Sequence, residues 1–268
     1  MNKELFEYTL HLADNALILG QRNAEWCGHG PALEQDIALT NISLDLIGQA
    51  RLLYQYAADQ YNAMDVGGQA AVAALLPKPW KEFNRALQED DLAYLREERQ
   101  FRNLLITELP KGDWAMTILR QFFFSAFQYL QYQQLQQSSD ATLAAIADKS
   151  LKETAYHLRW SGEWVIRLGD GTAESRRRIE AALADLWMFT GEAFVPAAFE
   201  TGIAPDPAAL RSAWDERIGS VFAEATLDVP ATGTWSQGGG KRGVHTEHLG
   251  YLLAEMQVLQ RTYPNMTW

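Results

Sequence analysis

The chain of 268 residues carries a formal net charge of −11, with 47% hydrophobic residues and a single cysteine. That acidic balance excludes a nucleic acid or an anionic membrane surface as the main partner, and Cys27 alone excludes an intrachain disulfide or a Cys-based zinc or iron–sulfur site. The length suffices for a large core in one domain spanning 1–268, since no Gly/Ser-rich linker divides it, and an acidic, helically patterned N-terminus with no long apolar run predicts a soluble cytoplasmic protein.

Between the prolines the apolar residues recur at helical rather than strand spacing, which predicts an all-α chain. The first helix carries Leu5, Tyr8, Leu12, Ala16 and Leu19 and ends near Gly20, before the turn WCGHGP. The second, Leu33 to Tyr61, is apolar on nearly every face (Ile37, Leu39, Ile42, Leu44, Leu46, Ile47), the pattern of a central helix. Its Asn41, Asp45 and Gln49 ridge then needs partners. From Asn62 to Glu89 the pattern weakens around Gly67-Gly68 and Pro77 to Pro79, predicting a surface excursion with one short helix. A third helix is expected over Asp91 to Thr107, stopped by Pro110, and a fourth over Trp114 to Gln137, a stretch without Asp or Glu. The fifth, Ala141 to Leu168, stops at Gly169-Asp170-Gly171. Helices over Ser175 to Val195 and Pro207 to Ala225 follow, then the glycine-rich TGTWSQGGGKRG and a last helix from His245 to Thr262.

Chemistry concentrates in KSLKETAYHLRWSGEWV, Lys149 to Val165. A carboxylate-bridged di-iron bundle uses Glu-x-x-His, because residues three apart point inward together, and takes a carboxylate from each core helix. Here Glu153 is followed three residues on by Tyr156, while three residues before His157 stands Thr154. In the second helix Asp45 is followed three residues on by Gly48, where the motif wants His. Two readings stay open: a metal-dependent oxidase with an unusual carboxylate and His ligand set, and a buried polar network of Asp45, Glu153 and His157 that fixes helix register. His245 and His248 share a helix face from which Glu247 points away, the pattern of a surface or interface pair. GGGKRG lacks the spacing of a phosphate loop; three consecutive glycines are mobile unless held, and Lys241 and Arg242 can meet an anion or a partner subunit. Cys27 beside His29 reads as a loop feature. The abundance of Trp, Phe and Tyr suits a core together with a large subunit interface.

Several long stretches resemble a known family: DNALILGQRNAEWCGHGPALEQDIALTNISLDLIGQARLLY, ERQFRNLL, KETAYHLRWS, GGGKRGVHTEHLGYLLAEMQ and the closing Trp268 are similar to the PaaC-type, non-catalytic subunits of the bacterial ring-1,2-phenylacetyl-CoA epoxidase, a multicomponent di-iron oxygenase. The resemblance implies a ferritin-like helical bundle with additional C-terminal helices. It also implies a scaffold role, with no catalytic residue, no metal ligand and no cofactor in this chain. The di-iron centre would belong to a PaaA-like catalytic partner, joined by PaaB-like and PaaE-like (reductase) components, and the chain alone would form a homodimer. On the same basis Asp45, Gly48, Glu153, Tyr156 and His157 occupy or adjoin vestigial ligand positions. Ser125 or Gln128 would be the third helix's counterpart and Asp14 or Asn15 the first's, and Lys241 and Arg242 would contact the partner or the phosphates of CoA.

Overall fold

The computed structural model describes residues 3–231 and 236–266, so Trp268 and residues 232–235 of the glycine-rich loop lie outside the described residues. Among those described, the elements are α1 (Lys3–Ala24), α2 (Leu33–Asn62), α3 (Val66–Val72), α4 (Glu89–Tyr94), α5 (Leu105–Glu108), α6 (Trp114–Leu135), α7 (Ala141–Gly169), α8 (Ala173–Leu186), α9 (Arg211–Glu224), α10 (Glu247–Met256) and α11 (Val258–Thr262), joined by short 3₁₀ turns. The four long helices α1, α2, α6 and α7 make an all-α, ferritin-like bundle: α1 lies along α2, α6 along α7, and α2 closes against α7. Helices α8 and α9 pack on the α6–α7 pair, and α10 touches α5. None of the described helices is long and apolar enough to cross a membrane.

Local sequence accounts for the helix starts. The Asp113 carboxylate accepts the Met116 N–H at 3.0 Å to open α6, and Asp140 accepts the N–H groups of Thr142 and Leu143 to open α7. Each cap satisfies a donor the helix itself cannot use and is worth about 1 kcal/mol. Helix α6 then buries Phe122, Phe123 and Phe127, and Phe123 packs on Trp214 and Phe222 of α9 with centroids 5.7 and 6.1 Å away. The Trp214 indole donates to the Phe123 carbonyl at 3.1 Å, so this large ring is buried without an unpaired polar atom.

Several boundaries differ from the periodicity reading, each for a packing reason. Helix α1 runs through Gly20 to Ala24, because Gly20 faces α2: a Cβ there would lie 3.3 Å from Ile47 and Leu46. Gly20 is a close-approach residue, not a stop. Helix α2 is not enclosed, since Leu33, Ile37 and Leu44 are 73%, 52% and 61% exposed along one side. The 62–89 stretch holds α3 and two 3₁₀ turns, and it carries core as well as surface, with Val72, Leu75, Leu76 and Leu87 buried. Helix α8 ends at Leu186 and gives way to 3₁₀ turns at Trp187–Phe189 and Gly191–Phe194. The last helix starts at Glu247, capped by Thr246, and breaks at Gln257, whose side chain donates to the Arg96 carbonyl at 3.0 Å.

The largest difference is at Asp91 to Thr107, expected as one helix. The chain leaves α4 at Tyr94, makes a 3₁₀ turn at Glu98–Gln100, and crosses residues 101–104 without helical structure before α5. Side chains from elsewhere supply the acceptors that a helix would have provided. Asp14 accepts the Arg102 N–H at 2.7 Å, Asn15 accepts the Leu104 N–H at 2.7 Å, and Glu192 accepts the Leu105 N–H at 2.9 Å. Asp14 also forms a fully buried ion pair with Arg96, and the Tyr54 hydroxyl donates to it at 2.6 Å. The Arg96 guanidinium further donates to the Leu92 and Gln100 carbonyls, which bracket the break.

This core can be probed by mutation and by pH. Arg96→Ala leaves the Asp14 carboxylate buried and unpaired, and urea denaturation should show a loss of about 3–5 kcal/mol. The pH test uses His245. Burial disfavours a charged His245, but its hydrogen bond to the Glu108 carboxylate outweighs burial and raises the pKa above its ordinary 6.5. The pair therefore contributes stability that is full below the unfolded value and is lost as pH rises through the folded one. The stability difference between the wild type and His245→Gln should be largest below the ordinary imidazole pKa of about 6.5 and shrink as pH rises above it; a difference that grows with pH would contradict the ion pair.

Candidate functional site

The centre of the bundle is built from α2, α6 and α7. Gln49 projects inward from α2, Ser125, Gln128 and Tyr132 from α6, and Thr154 and His157 from α7, all buried. The Gln128 amide donates to the Gln49 carbonyl oxygen at 3.1 Å and to the Tyr132 hydroxyl at 3.2 Å, and Tyr132 donates to Gln49 at 3.4 Å. Thr154 bonds the Gln128 oxygen at 3.4 Å and the Ser150 carbonyl at 2.9 Å. Nearer the far end of α6, Gln121 donates to Ser125 at 2.8 Å and accepts from Asn23 at 2.6 Å. Between the helices Gln49, Gln128, Tyr132 and Thr154 bond one another as neutral groups, which costs far less than burying charges, while Asn23 Oδ1, Ser150 Oγ and His157 Nδ1 are buried without a partner among the described residues.

The inward register is offset by one residue from the acidic half-motifs. The pair three apart that faces the centre on α7 is Thr154 with His157, not Glu153 with Tyr156; Tyr156 is 38% exposed. On α2 it is Leu46 with Gln49, and Gly48 is exposed. The two carboxylates stand at the α2–α7 seam instead, each bonded to an inward residue of the opposite helix: Asp45, with a side chain 36% exposed, to His157 Nε2 at 2.9 Å, and Glu153 to the Gln49 amide at 2.8 Å. Asp14 and Asn15 belong to the Arg96 network described above and do not join this centre. The donors that face the middle are thus one imidazole, amides and hydroxyls, a set that does not fit a carboxylate-bridged metal pair. Among the described residues no three His, Cys, Asp or Glu side chains converge as a metal site.

The glycine loop is held by this chain's own carboxylates. Glu192 accepts the Gly239 N–H at 2.7 Å, and Gly240 lies so close to the start of α5 that a Cβ would collide with the Asn103 carbonyl oxygen. Gly239 and Gly243 have φ of 154° and 72°, a region open to glycine. Lys241, expected to reach outward, is 5% exposed: its ammonium bonds both Glu200 oxygens at 3.0 Å and the Val195 carbonyl at 2.9 Å. Burial lowers the Lys241 pKa and raises that of Glu200, and the ion pair opposes both shifts. Arg242, its neighbour, is exposed. His245 is not a surface residue in its chemistry, because its ring is fully buried against Glu108 Oε2 at 2.7 Å and the Phe101 carbonyl at 3.1 Å. Glu247 is exposed, and His248 contributes its carbonyl to Arg22 at 3.0 Å. Cys27 is exposed, and its carbonyl lies 3.0 Å from His29 Nδ1.

Periodicity alone passed over Glu108 and Glu192, which organise this end of the molecule. Each is a lone acid in an apolar run, LLITELP and MFTGEAFVP, and such an acid is a sign of a buried acceptor. Lys241→Met should destabilise by about 3–5 kcal/mol, since Glu200 is left buried without its partner, while the double variant with Glu200→Gln should regain most of that loss. Additive losses in urea titrations would contradict the pairing.

The whole chain, residues 1–268, matches the family described as Phenylacetic acid catabolic protein. It is also 46% identical over 270 residues to a 1,2-phenylacetyl-CoA epoxidase subunit of Escherichia coli (strain K12), with 99% of each chain covered. With a full-length match and an end-to-end relative, the chain belongs to the phenylacetic acid catabolic protein family.

Proposed function

We propose that the chain is a structural, non-catalytic subunit of a phenylacetyl-CoA ring epoxidase in aerobic phenylacetate degradation, working in the cytoplasm beside a PaaA-like catalytic subunit that carries the di-iron centre. PaaB-like and PaaE-like (reductase) components complete the assembly. The observation that carries this reading is the bundle centre: amides and hydroxyls fill the space a metal pair would take, and both nearby carboxylates are turned to the seam. The similarity to an epoxidase subunit supplies the substrate and the company it keeps.

The exposed side of α2 supports a partner there. Leu33, Ile37, Asn41, Leu44 and Gly48 follow one another on a single helix face, all exposed, and Tyr156 of α7 lies exposed across the seam. A Cβ at Gly48 would meet nothing within 4 Å in this chain, so a facing helix can approach closely. An apolar stripe of this length is a poor solvent surface and a good half of a helix–helix interface.

Co-expression with the catalytic subunit followed by size-exclusion chromatography tests the assembly. The pair should co-elute at micromolar concentration, and Ile37→Asp with Leu44→Asp should separate it without lowering the melting temperature, because both side chains are already in water. Separate elution of the wild-type pair would defeat the scaffold reading. Iron content tests the other half: after incubation with ferrous iron the purified chain should hold only substoichiometric metal, whereas stoichiometric iron would favour an oxidase in its own right with an unusual ligand set.

A further inference from the structure

The cavity under the glycine loop has no part in the bundle centre or in the α2 face. It measures about 720 Å³, within the range of small-molecule sites. Its lining includes the apolar Val195, Pro196, Ala198 and Phe199 together with residues 237–239 and Arg242. Val195 is 59% exposed, an apolar side chain left in water at the mouth.

The charges around this cavity are matched within the chain, with one exception. Arg102 is paired with Glu7 at 2.8 Å. The Lys241 ammonium, on a residue that also lines the cavity, is saturated by Glu200 and two carbonyls. The Glu192 carboxylate is buried and occupied by the N–H groups of Leu105 and Gly239. Arg242 remains: it is exposed, and among the described residues its side chain has neither ion pair nor hydrogen bond. We propose that this cavity is a binding site for a small organic monocarboxylate, with Arg242 gripping the carboxylate and the Val195–Phe199 wall holding the apolar body.

The class follows from charge and shape together. A guanidinium presents two parallel N–H donors to a planar carboxylate, and an apolar wall adds affinity only for a ligand with an apolar body. One unmatched cation near a buried Glu192 carboxylate suits a single negative charge and disfavours a polyanion such as CoA. The walls are fixed before binding by the buried Lys241–Glu200 pair and by the glycines packed beside α5, so little ordering is required of the protein. This inference stands on the cavity alone and is independent of the assembly proposed above.

The test is equilibrium binding to the full chain by calorimetry and ligand-observed NMR, with phenylacetate and octanoate as the aromatic and aliphatic probes and CoA as the polyanion. Both acids, or one of them, should bind with a dissociation constant below about 1 mM, more weakly as salt rises. Arg242→Gln should weaken binding about tenfold or more, Arg242→Lys should weaken it less, and Ala198→Phe should block it by filling the cavity. Residues 198 and 242 are exposed, so all three variants should melt like the wild type. Absence of binding by either acid, binding that ignores Arg242→Gln and Ala198→Phe, or CoA binding more tightly than the acids would each overturn the proposal.

Discussion

Backbone N–H groups that leave a helix inside a core must find acceptors, and in this protein that requirement falls on residues 101–105. Asp14 and Asn15 on α1 and Glu192 from the far side of the chain take those N–H groups, while Arg96 neutralises Asp14. Much else depends on this arrangement. It fixes the rotation of α1, since neighbouring residues Asp14 and Asn15 must both point at the crossing segment, and it sets α5 where Asn103 and Glu108 can meet. Glu108 accepts from Asn103 at 2.8 Å and from the Thr246 N–H at 2.6 Å, and it pairs with His245, so the start of α10 is anchored to the same segment. Ion pairs buried at this depth add little net stability against an apolar replacement, but removing one member is strongly destabilising. Their effect here is to specify one path for the chain.

The bundle centre follows a different logic. A pair of metal ions needs several carboxylates converging in low dielectric, a set of charges that only the metal makes tolerable. Here the same volume holds Gln49, Gln128, Tyr132 and Thr154, neutral groups that satisfy each other. The two acids at the seam keep contact with solvent and reach one hydrogen-bonding partner each. That distribution ties α2 to α7 through one carboxylate from each helix, Asp45 to His157 and Glu153 to Gln49. It also leaves the outer face of α2 free to carry apolar residues.

At the other end of the molecule, packing converts a glycine-rich stretch into a defined wall. The close approach of Gly240 to Asn103 admits no side chain, and the Glu192 carboxylate supplies the acceptor that holds Gly239. The two adjacent cations of the loop are thereby given opposite fates, Lys241 buried against Glu200 and Arg242 left in solvent beside the cavity.

Much was legible in the sequence because it depends on local chemistry. Helical spacing gives an all-α chain, and Gly169-Asp170-Gly171 marks where α7 stops. The sequence set Asp45, Glu153 and His157 apart as polar residues of α2 and α7, and in the structure His157 faces inward with Thr154 while the two carboxylates stand at the seam. What only the tertiary structure decided are interactions between residues far apart in the chain. Nothing local in Asp91 to Thr107 opposes a helix, and it breaks because acceptors on α1 and at Glu192 hold it in another path. Nothing in GGGKRG separates Lys241 from Arg242, and only the position of Glu200, 41 residues earlier, draws one inside. Periodicity records which residues are apolar and at what spacing; which acceptor a buried N–H or ammonium will find is set by the three-dimensional packing of the whole chain.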